Sequence, residues 1–366
     1  MSGHDVEGLR VSPDGRTLVA LVNEDGAVRP YRIDAETGKT GTLAGVPPGT
    51  VQNLSFHRRL PEIAWTQTSV QSAVSVCSMN LATGEITEWT RPSTGNEFSP
   101  AKKVLYPTFD QVDGKSRMIP AWLMEPPADR RRPWPVLIFI HGGPEGQSSA
   151  MISPDDEYFL RRGIAVLKPN VRGSVGYGKT YLNLDNGFLR EDSVKDIGAL
   201  LDWIPTQAAL DAGRVAVMGG SHGGFMSLSV ATHYSPRLRC AVNLFGISNF
   251  VTFLESTEDY RRDLRRVEYG DEREPKMRAF LESISPIRHV DRIGVPLFIY
   301  QGTKEPRVPL AESRQMVASL RKQGKTVWYV EAENEGHGMN RPQHIFYTGA
   351  SILKFLETYL LSETDR

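Results

Sequence analysis

Cysteine is scarce in this sequence of 366 residues: only Cys77 and Cys240 occur, far apart and without a C-x-x-C pair. This scarcity argues against a disulfide framework and against a thiolate zinc site. The eight histidines also lack the H-E-x-x-H spacing of a zinc hydrolase. We therefore expect no metal and no cofactor, and we expect a reducing, cytoplasmic environment.

Net charge and long apolar runs are also missing. Forty-three basic residues balance 43 acidic ones, so no overall field attracts nucleic acid or an anionic membrane. No apolar run approaches the roughly 20 residues that span a bilayer. The opening MSGHDVEGLR has neither the basic nor the apolar region of a signal peptide. These features predict a soluble, cytoplasmic chain without nucleic-acid or membrane partners.

The first hundred residues contain short strand-like runs. Runs such as TLVALV, AVRPYRI and EIAWTQT are separated by turn signals such as SPDG, NEDG, ETGK and ATGE. One strand–turn pattern recurs after about 46 residues, from Gly38 to Gly84, which is typical of a four-stranded propeller blade. Residues 1–100 are thus predicted to be an all-β region of about two blades, fewer than a closed propeller contains. An ordinary antiparallel sheet with a chance repeat is the alternative.

After the connecting stretch RPSTGNEFSP, residues 101–366 alternate apolar strands with amphipathic helices. The strands are short and rich in Val, Ile, Leu and Phe, as in PVLIFI, RVAVMG and PLFIYQG. This alternation predicts an α/β domain, a mostly parallel sheet flanked by helices, with its active site at the carboxyl ends of the strands. The charged segment 253–286 is interpreted as an inserted helical excursion.

A candidate nucleophile lies between a strand and a helix. Gly219-Gly220-Ser221-His222-Gly223 follows RVAVMG and precedes GFMSLSVATHY, which is the strand–turn–helix setting of the G-x-S-x-G nucleophile elbow. Such an elbow exposes a serine Oγ in a strained turn. Ser221 is therefore the candidate nucleophile, against the alternative of an ordinary glycine-rich turn.

A nucleophilic serine needs a base and an acid that follow it in the order Ser, acid, His. Among the five histidines from His222 onward, His337 lies in the glycine-flanked loop ENEGHGMN after strand TVWYVEA, and we select it as the base. Glu305 is the carboxylate nearest the end of PLFIYQG and is the candidate acid. Strand PVLIFI ends in HGGPEG, so the backbone N–H groups of Gly143 and His222 are the candidate oxyanion donors.

Six motifs in order resemble the prolyl oligopeptidase family of serine peptidases, especially its acylaminoacyl-peptidase-like members: YPTFD…IPAWLMEPP, HGGPEGQ, PNVRGSVGYGKTY, GGSHGGFM, GTKEPRVPL and ENEGHGM. The resemblance implies an α/β-hydrolase fold preceded by a seven- or eight-bladed propeller. It implies that Ser221, Glu305 and His337 occupy the triad positions, and that Arg307 holds a substrate carbonyl or carboxylate. The sequence departs from the family in having Glu305 where Asp is usual, and in its short propeller region.

The stretch GSVGYGKT, residues 173–180, also matches the nucleotide-binding pattern G-x-x-x-x-G-K-[ST]. It falls inside the family-like segment PNVRGSVGYGKTY, and LDNG soon interrupts any helix that begins at Lys179. No apolar strand ends in the Asp that would hold magnesium. Nucleotide binding is therefore not expected.

The leading functional hypothesis is a serine hydrolase that cleaves short or N-acylated peptides through an acyl-enzyme. One alternative is a carboxylesterase that uses the same residues on small esters, because esters are easier to cleave. The other is a catalytically weak binding or assembly module. The expected partners are a peptide or small ester substrate and, because blade-like strands leave unpaired edges, a second copy of the chain.

Overall fold

The computed structural model describes residues 4–47, 49–68, 74–90 and 99–361, so most of the connecting stretch RPSTGNEFSP lies outside the described residues. Two compact units divide the chain. The first contains the described residues up to Lys102 together with 149–152 and 175–180, and the second contains 103–148, 153–174 and 181–361.

The first unit consists of two four-stranded antiparallel sheets in which each strand pairs with the next along the chain. The first sheet is β1 (Asp5–Val11), β2 (Thr17–Glu24), β3 (Ala27–Asp34) and β4 (Thr40–Thr42); the second is β5 (Thr50–Phe56), β6 (Glu62–Thr68), β7 (Ser75–Asn80) and β8 (Ile86–Glu88). Asp25 and Gly26 form a two-residue hairpin loop in which both residues have positive φ. The predicted pair of blade-like sheets is confirmed.

Both sheets of this unit contribute to one apolar core. Val19 and Leu21 of β2 are buried in it, together with Ile63 and Trp65 of β6. Along β6, buried residues alternate strictly with half-buried ones. Because side chains alternate along a strand, one face of β6 is directed towards the core and the other away from it.

The second unit contains an eight-stranded sheet in the order β16-β15-β14-β13-β11-β12-β10-β9. Its strands are β9 (Lys102–Val112), β10 (Lys115–Met124), β11 (Trp134–Ile140), β12 (Ala165–Pro169), β13 (Leu210–Gly220), β14 (Cys240–Leu244), β15 (Leu297–Gly302) and β16 (Val327–Ala332). Strands β11 to β16 run parallel, and β10 pairs antiparallel with β12. The predicted α/β-hydrolase fold, with a mostly parallel sheet, is confirmed.

Nine α-helices accompany these strands in the described residues: α1 (Pro154–Arg161), α2 (Gly178–Leu182), α3 (Asp192–Trp203), α4 (His222–His233), α5 (Phe250–Ser256), α6 (Asp259–Tyr269), α7 (Pro275–Ile284), α8 (Leu310–Lys322) and α9 (Pro342–Tyr359). Every residue of β12, β14 and β15 is buried, as expected for strands covered by helices on both faces. The charged segment 253–286 contains α6, α7 and most of α5. No helix of the described residues is both long and apolar enough to cross a membrane.

A buried ion pair ties α3 to the loop after β12. Asp196 on α3 is fully buried, and its carboxylate accepts two hydrogen bonds from the Arg172 guanidinium, at 2.9 and 2.8 Å. Thr108 on β9 donates to the same carboxylate at 2.7 Å. Arg172 also donates to Asp110 at 2.9 Å, so both buried charges are paired and hydrogen-bonded.

We expect Asp196→Ala to lower the free energy of unfolding by about 3–5 kcal/mol, because the buried Arg172 guanidinium would lose both hydrogen bonds to Asp196 and keep only the one to the less buried Asp110. Urea unfolding followed by circular dichroism measures this loss. Asp202→Ala on the same helix is the control, because the Asp202 side chain is 75% exposed in its pair with Arg237, and it should change stability by less than about 0.5 kcal/mol. Equal losses in the two variants would contradict the assignment.

Candidate active site

Ser221 lies in the turn between β13 and α4, at the carboxyl edge of the sheet. Its backbone has φ 58° and ψ −119°, a conformation that residues with a side chain rarely adopt. The Ser221 N–H donates to the carbonyl oxygen of Leu244, at the end of the neighbouring strand β14, at 2.9 Å. Strained backbone of this kind persists only where the surrounding structure holds it.

Two glycines allow the helix to approach the sheet closely behind this turn. A Cβ atom added to Gly219 would lie 2.3 Å from the carbonyl oxygen of Gly223, and one added to Gly223 would lie 2.1 Å from the carbonyl oxygen of Ile140. No side chain fits at such distances. The glycines of the G-x-S-x-G motif are therefore required by contact between backbones.

His337 and Glu305 lie in the loops after the adjacent strands β16 and β15, and they contact each other directly. The distance from His337 Nδ1 to Glu305 Oε2 is 2.6 Å, and the Glu305 side chain is fully buried. The other carboxylate oxygen accepts the backbone N–H groups of Arg307 at 2.6 Å and Val308 at 3.3 Å. Because an ionised carboxylate only accepts hydrogen bonds, this arrangement places a proton on Nδ1 and leaves Nε2 free to act as a base.

Two other carboxylates near this loop are engaged elsewhere. Glu335 accepts a hydrogen bond from Nδ1 of His344 at 2.7 Å, and Glu331 pairs with Arg314 at 2.6 Å. Within the described residues, Glu305 is thus the carboxylate that contacts His337.

A cavity of about 390 Å³ brings most of the predicted site residues together. Its wall includes Ser221, His337, Gly143 and Arg307; the other lining residues are Phe139, Gly142, Gly220, Leu244, Phe245, Arg261 and Arg265. The His337 ring packs against Phe245 with centroids 4.8 Å apart. Glu305 and His222 do not line the cavity: Glu305 contacts His337, and His222 follows Ser221 in the chain.

His222 is the first residue of α4, so its backbone N–H belongs to the first turn, where helical N–H groups have no partner within the helix. Its imidazole is buried and stacks on Tyr269, with Nδ1 3.4 Å from the phenol oxygen. Burial holds the pKa of His222 well below its ordinary value, so the ring is neutral. The backbone of His222, and not its imidazole, is therefore the part suited to an oxyanion.

Gly143 lies in the loop after β11 with φ 135°, and a Cβ atom there would lie 2.6 Å from two backbone nitrogens. The neighbouring His141 supports this loop: its Nδ1 is 2.9 Å from the Gly142 carbonyl oxygen and its Nε2 is 2.8 Å from Ser174 Oγ. Burial lowers the pKa of His141. With both nitrogens engaged, His141 holds the loop in place.

Arg261 and Arg265 were not identified from the sequence. Both come from α6 and line the cavity beside Ser221. Their spacing of four residues places them on one face of a helix, which is a usable signal, but α6 carries four arginines in all. Sequence spacing does not indicate which face meets the nucleophile.

The family model described as "Prolyl oligopeptidase family" matches residues 152–363, more than half of the chain. "Dipeptidyl peptidase family member 6" of Caenorhabditis elegans is 34% identical over 237 residues, which cover 64% of this chain and 32% of that protein. The chain thus spans about a third of the length of this relative.

Solved structures show the same similarity in three dimensions. A Mycobacterium tuberculosis puromycin-hydrolyzing peptidase is 25% identical with a TM-score of 0.87, covering 99% of this chain and 56% of that one. A Pyrococcus horikoshii acylaminoacyl peptidase is 17% identical with a TM-score of 0.84, covering 99% and 57%. At 17% identity, the similarity to the acylaminoacyl peptidase concerns the fold alone.

We expect Glu305→Gln to lower kcat by on the order of 10³–10⁴, as the acid-to-amide change does in a serine protease triad. The amide oxygen of the glutamine would still accept hydrogen bonds from the backbone N–H groups of Arg307 and Val308. The amide NH₂ group would then face His337 and donate to Nδ1, which forces the imidazole proton onto Nε2. Steady-state kinetics measures the loss. Glu331→Gln is the control and should keep its activity; a Glu305→Gln enzyme with more than about half of the wild-type rate would exclude Glu305 as the acid.

Proposed function

The chain belongs to the prolyl oligopeptidase family, and from this premise we propose that it is a serine hydrolase that cleaves peptide bonds of short or N-acylated peptides. The observation that carries the proposal is that Ser221, in a strained elbow, lines one cavity with His337, whose Nδ1 is bound by the buried Glu305. A nucleophile, a base and an orienting acid in this relation suit acyl transfer.

In the proposed reaction, Ser221 Oγ attacks the scissile carbonyl carbon while His337 Nε2 takes the serine proton. Glu305 stabilises the imidazolium that forms. The negative charge that develops on the carbonyl oxygen is bound by the N–H groups of Gly143 and His222. The tetrahedral intermediate then collapses: the C–N bond breaks, and the leaving amine receives the proton from His337.

The acyl-enzyme is hydrolysed by the same groups in the second half of the reaction. Water attacks the ester carbonyl and gives its proton to His337 Nε2, and a second tetrahedral intermediate forms. Its collapse breaks the bond to Ser221 Oγ, which regains the proton from His337. The product is a carboxylic acid, and the enzyme returns to its initial state.

Peptides are favoured over esters by Arg307. Its exposed side chain lines the cavity, and its guanidinium makes no hydrogen bond to any described residue, so it is available to a second carbonyl or a carboxylate of a peptide. The names of the similar proteins, a dipeptidyl peptidase, a puromycin-hydrolyzing peptidase and an acylaminoacyl peptidase, support the same choice.

Self-association and a cytoplasmic location are part of the proposal. Strand β1 is an edge strand of its sheet and exposes Val6, Leu9 and Val11, a pattern that favours pairing with another chain. The free thiols of Cys77 and Cys240 support a reducing compartment, which cell fractionation tests.

Self-association should give a mass above 40.8 kDa in light scattering at micromolar concentration. A strict monomer would contradict it.

We expect a fluorophosphonate probe to label the wild-type protein, and Ser221→Ala to abolish the labelling and lower peptide turnover by several powers of ten. Gel fluorescence and an assay with acyl-peptide and p-nitrophenyl ester substrates measure both effects. Ser229→Ala is the matched control: Ser229 is buried on the same helix α4 and its hydroxyl bonds no other described group. Labelling that survives in Ser221→Ala would refute the assignment of the nucleophile.

A further inference from the structure

The wall of the active-site cavity is strongly cationic. Arg261 and Arg265 of α6 and Arg307 of the loop after β15 all line it together with Ser221, and none of the lining residues is a carboxylate. Apart from His337, the remaining wall is apolar or glycine, with Phe139, Leu244 and Phe245 as its large apolar side chains. Three guanidinium groups therefore meet at one cavity, and their own counterions decide which of them is available to a substrate.

Most of the other charged groups around this wall neutralise one another. Arg265 pairs with the buried Glu268 and donates to the Gly143 carbonyl oxygen at 3.1 Å. Behind the Tyr269 ring, Arg190 pairs with Asp185 at 2.6 Å. The carboxylate of Glu305 accepts a hydrogen bond from His337. Glu145, which lies near Arg265, is exposed to solvent.

Two cations have no such partner. Arg261 and Arg307 make no side-chain hydrogen bond or ion pair with any residue that the structure describes, and both line the cavity. A guanidinium group that lines a cavity without a counterion favours an anion as its ligand. The cavity is therefore built for a substrate that brings a negative charge.

The position of α6 indicates which part of the substrate carries this charge. Arg265 is bound to the carbonyl of Gly143, so α6 reaches the cavity beside the loop that is suited to hold the oxyanion. The leaving group must depart towards His337, which protonates it. A substrate group that lies beside α6 and away from His337 would belong to the acyl part, the part that becomes attached to Ser221.

We propose that Arg261 makes this cavity select substrates with a carboxylate on the acyl residue, namely glutamyl or aspartyl peptides. The proposal rests on the peptidase function above and names its substrate class. The guanidinium binds the side-chain carboxylate through paired N–H···O bonds, while Phe139, Leu244 and Phe245 contact the methylene groups. Arg261 is a specificity-determining residue and takes no part in the chemical steps.

The test compares acetyl-glutamyl and acetyl-glutaminyl p-nitroanilide, which share a leaving group and nearly a shape and differ in charge. We expect wild-type kcat/KM to favour the glutamyl substrate by on the order of 10- to 100-fold, the range of a charge-assisted pair. Arg261→Met should reduce this ratio to about unity, and Arg261→Lys should keep part of it. The preference should also fall as salt is raised from about 0.05 to about 0.5 M, because ions screen the charges.

Arg262→Met is the matched control. Arg262 is the next residue on α6, but it pairs with the exposed Asp259 and donates to the Thr257 carbonyl oxygen, and it does not line the cavity. This variant should keep the wild-type ratio. Fluorophosphonate labelling of each variant at Ser221 establishes that its active site is folded.

The outcomes separate this inference from the proposed function. Hydrolysis of the glutaminyl substrate as fast as the glutamyl one by wild-type enzyme would overturn the inference and leave the peptidase function intact, and so would a ratio that Arg261→Met leaves unchanged. The wild-type ratio and its salt dependence need no variant, so misfolding of Arg261→Met would not remove the test. Absence of both labelling and hydrolysis of any peptide would overturn the proposed function itself.

Discussion

The close approach of α4 to the sheet is the constraint on which the site depends. Gly219 and Gly223 allow backbone atoms of β13, β11 and α4 to meet at distances that no Cβ atom permits. This contact holds Ser221 at positive φ, and the N–H bond to Leu244 fixes the turn against β14. The same geometry places the N-terminus of α4 directly after Ser221, so the first turn of the helix offers an N–H group without a helical partner beside the strained residue.

Glu305 shows how a carboxylate one methylene longer than that of Asp reaches His337. One oxygen of Glu305 accepts the N–H groups of its own loop, and the other accepts Nδ1 of His337. The first oxygen anchors the loop through Arg307 and Val308, and the second fixes the imidazole. The loop thus holds the extra methylene in place, and the chemistry requires only an ionised oxygen at hydrogen-bond distance from the ring.

The charged segment between β14 and β15 shows how a largely exposed helix can contribute side chains to a site. Its helix α6 exposes Tyr260, Leu264 and Val267, while the face that carries Arg261 and Arg265 lines the cavity. Arg265 is neutralised by Glu268 and braces the Gly143 loop. Arg261 is left without a partner among the described residues, so the two arginines on one helical face have different physical roles.

The sequence by itself determined the fold class, because the alternation of apolar strands with amphipathic helices specifies a covered parallel sheet whichever loops connect it. It also singled out Ser221, His337 and Glu305, since each follows a strand whose carboxyl end must meet the others at one edge of a parallel sheet. Only the tertiary structure decided which oxygen of Glu305 binds His337 and which arginines line the cavity. Both depend on loop conformation and on the rotation of α6 about its axis, and these are set by contacts between residues far apart in the chain, such as that of Arg265 with Gly143.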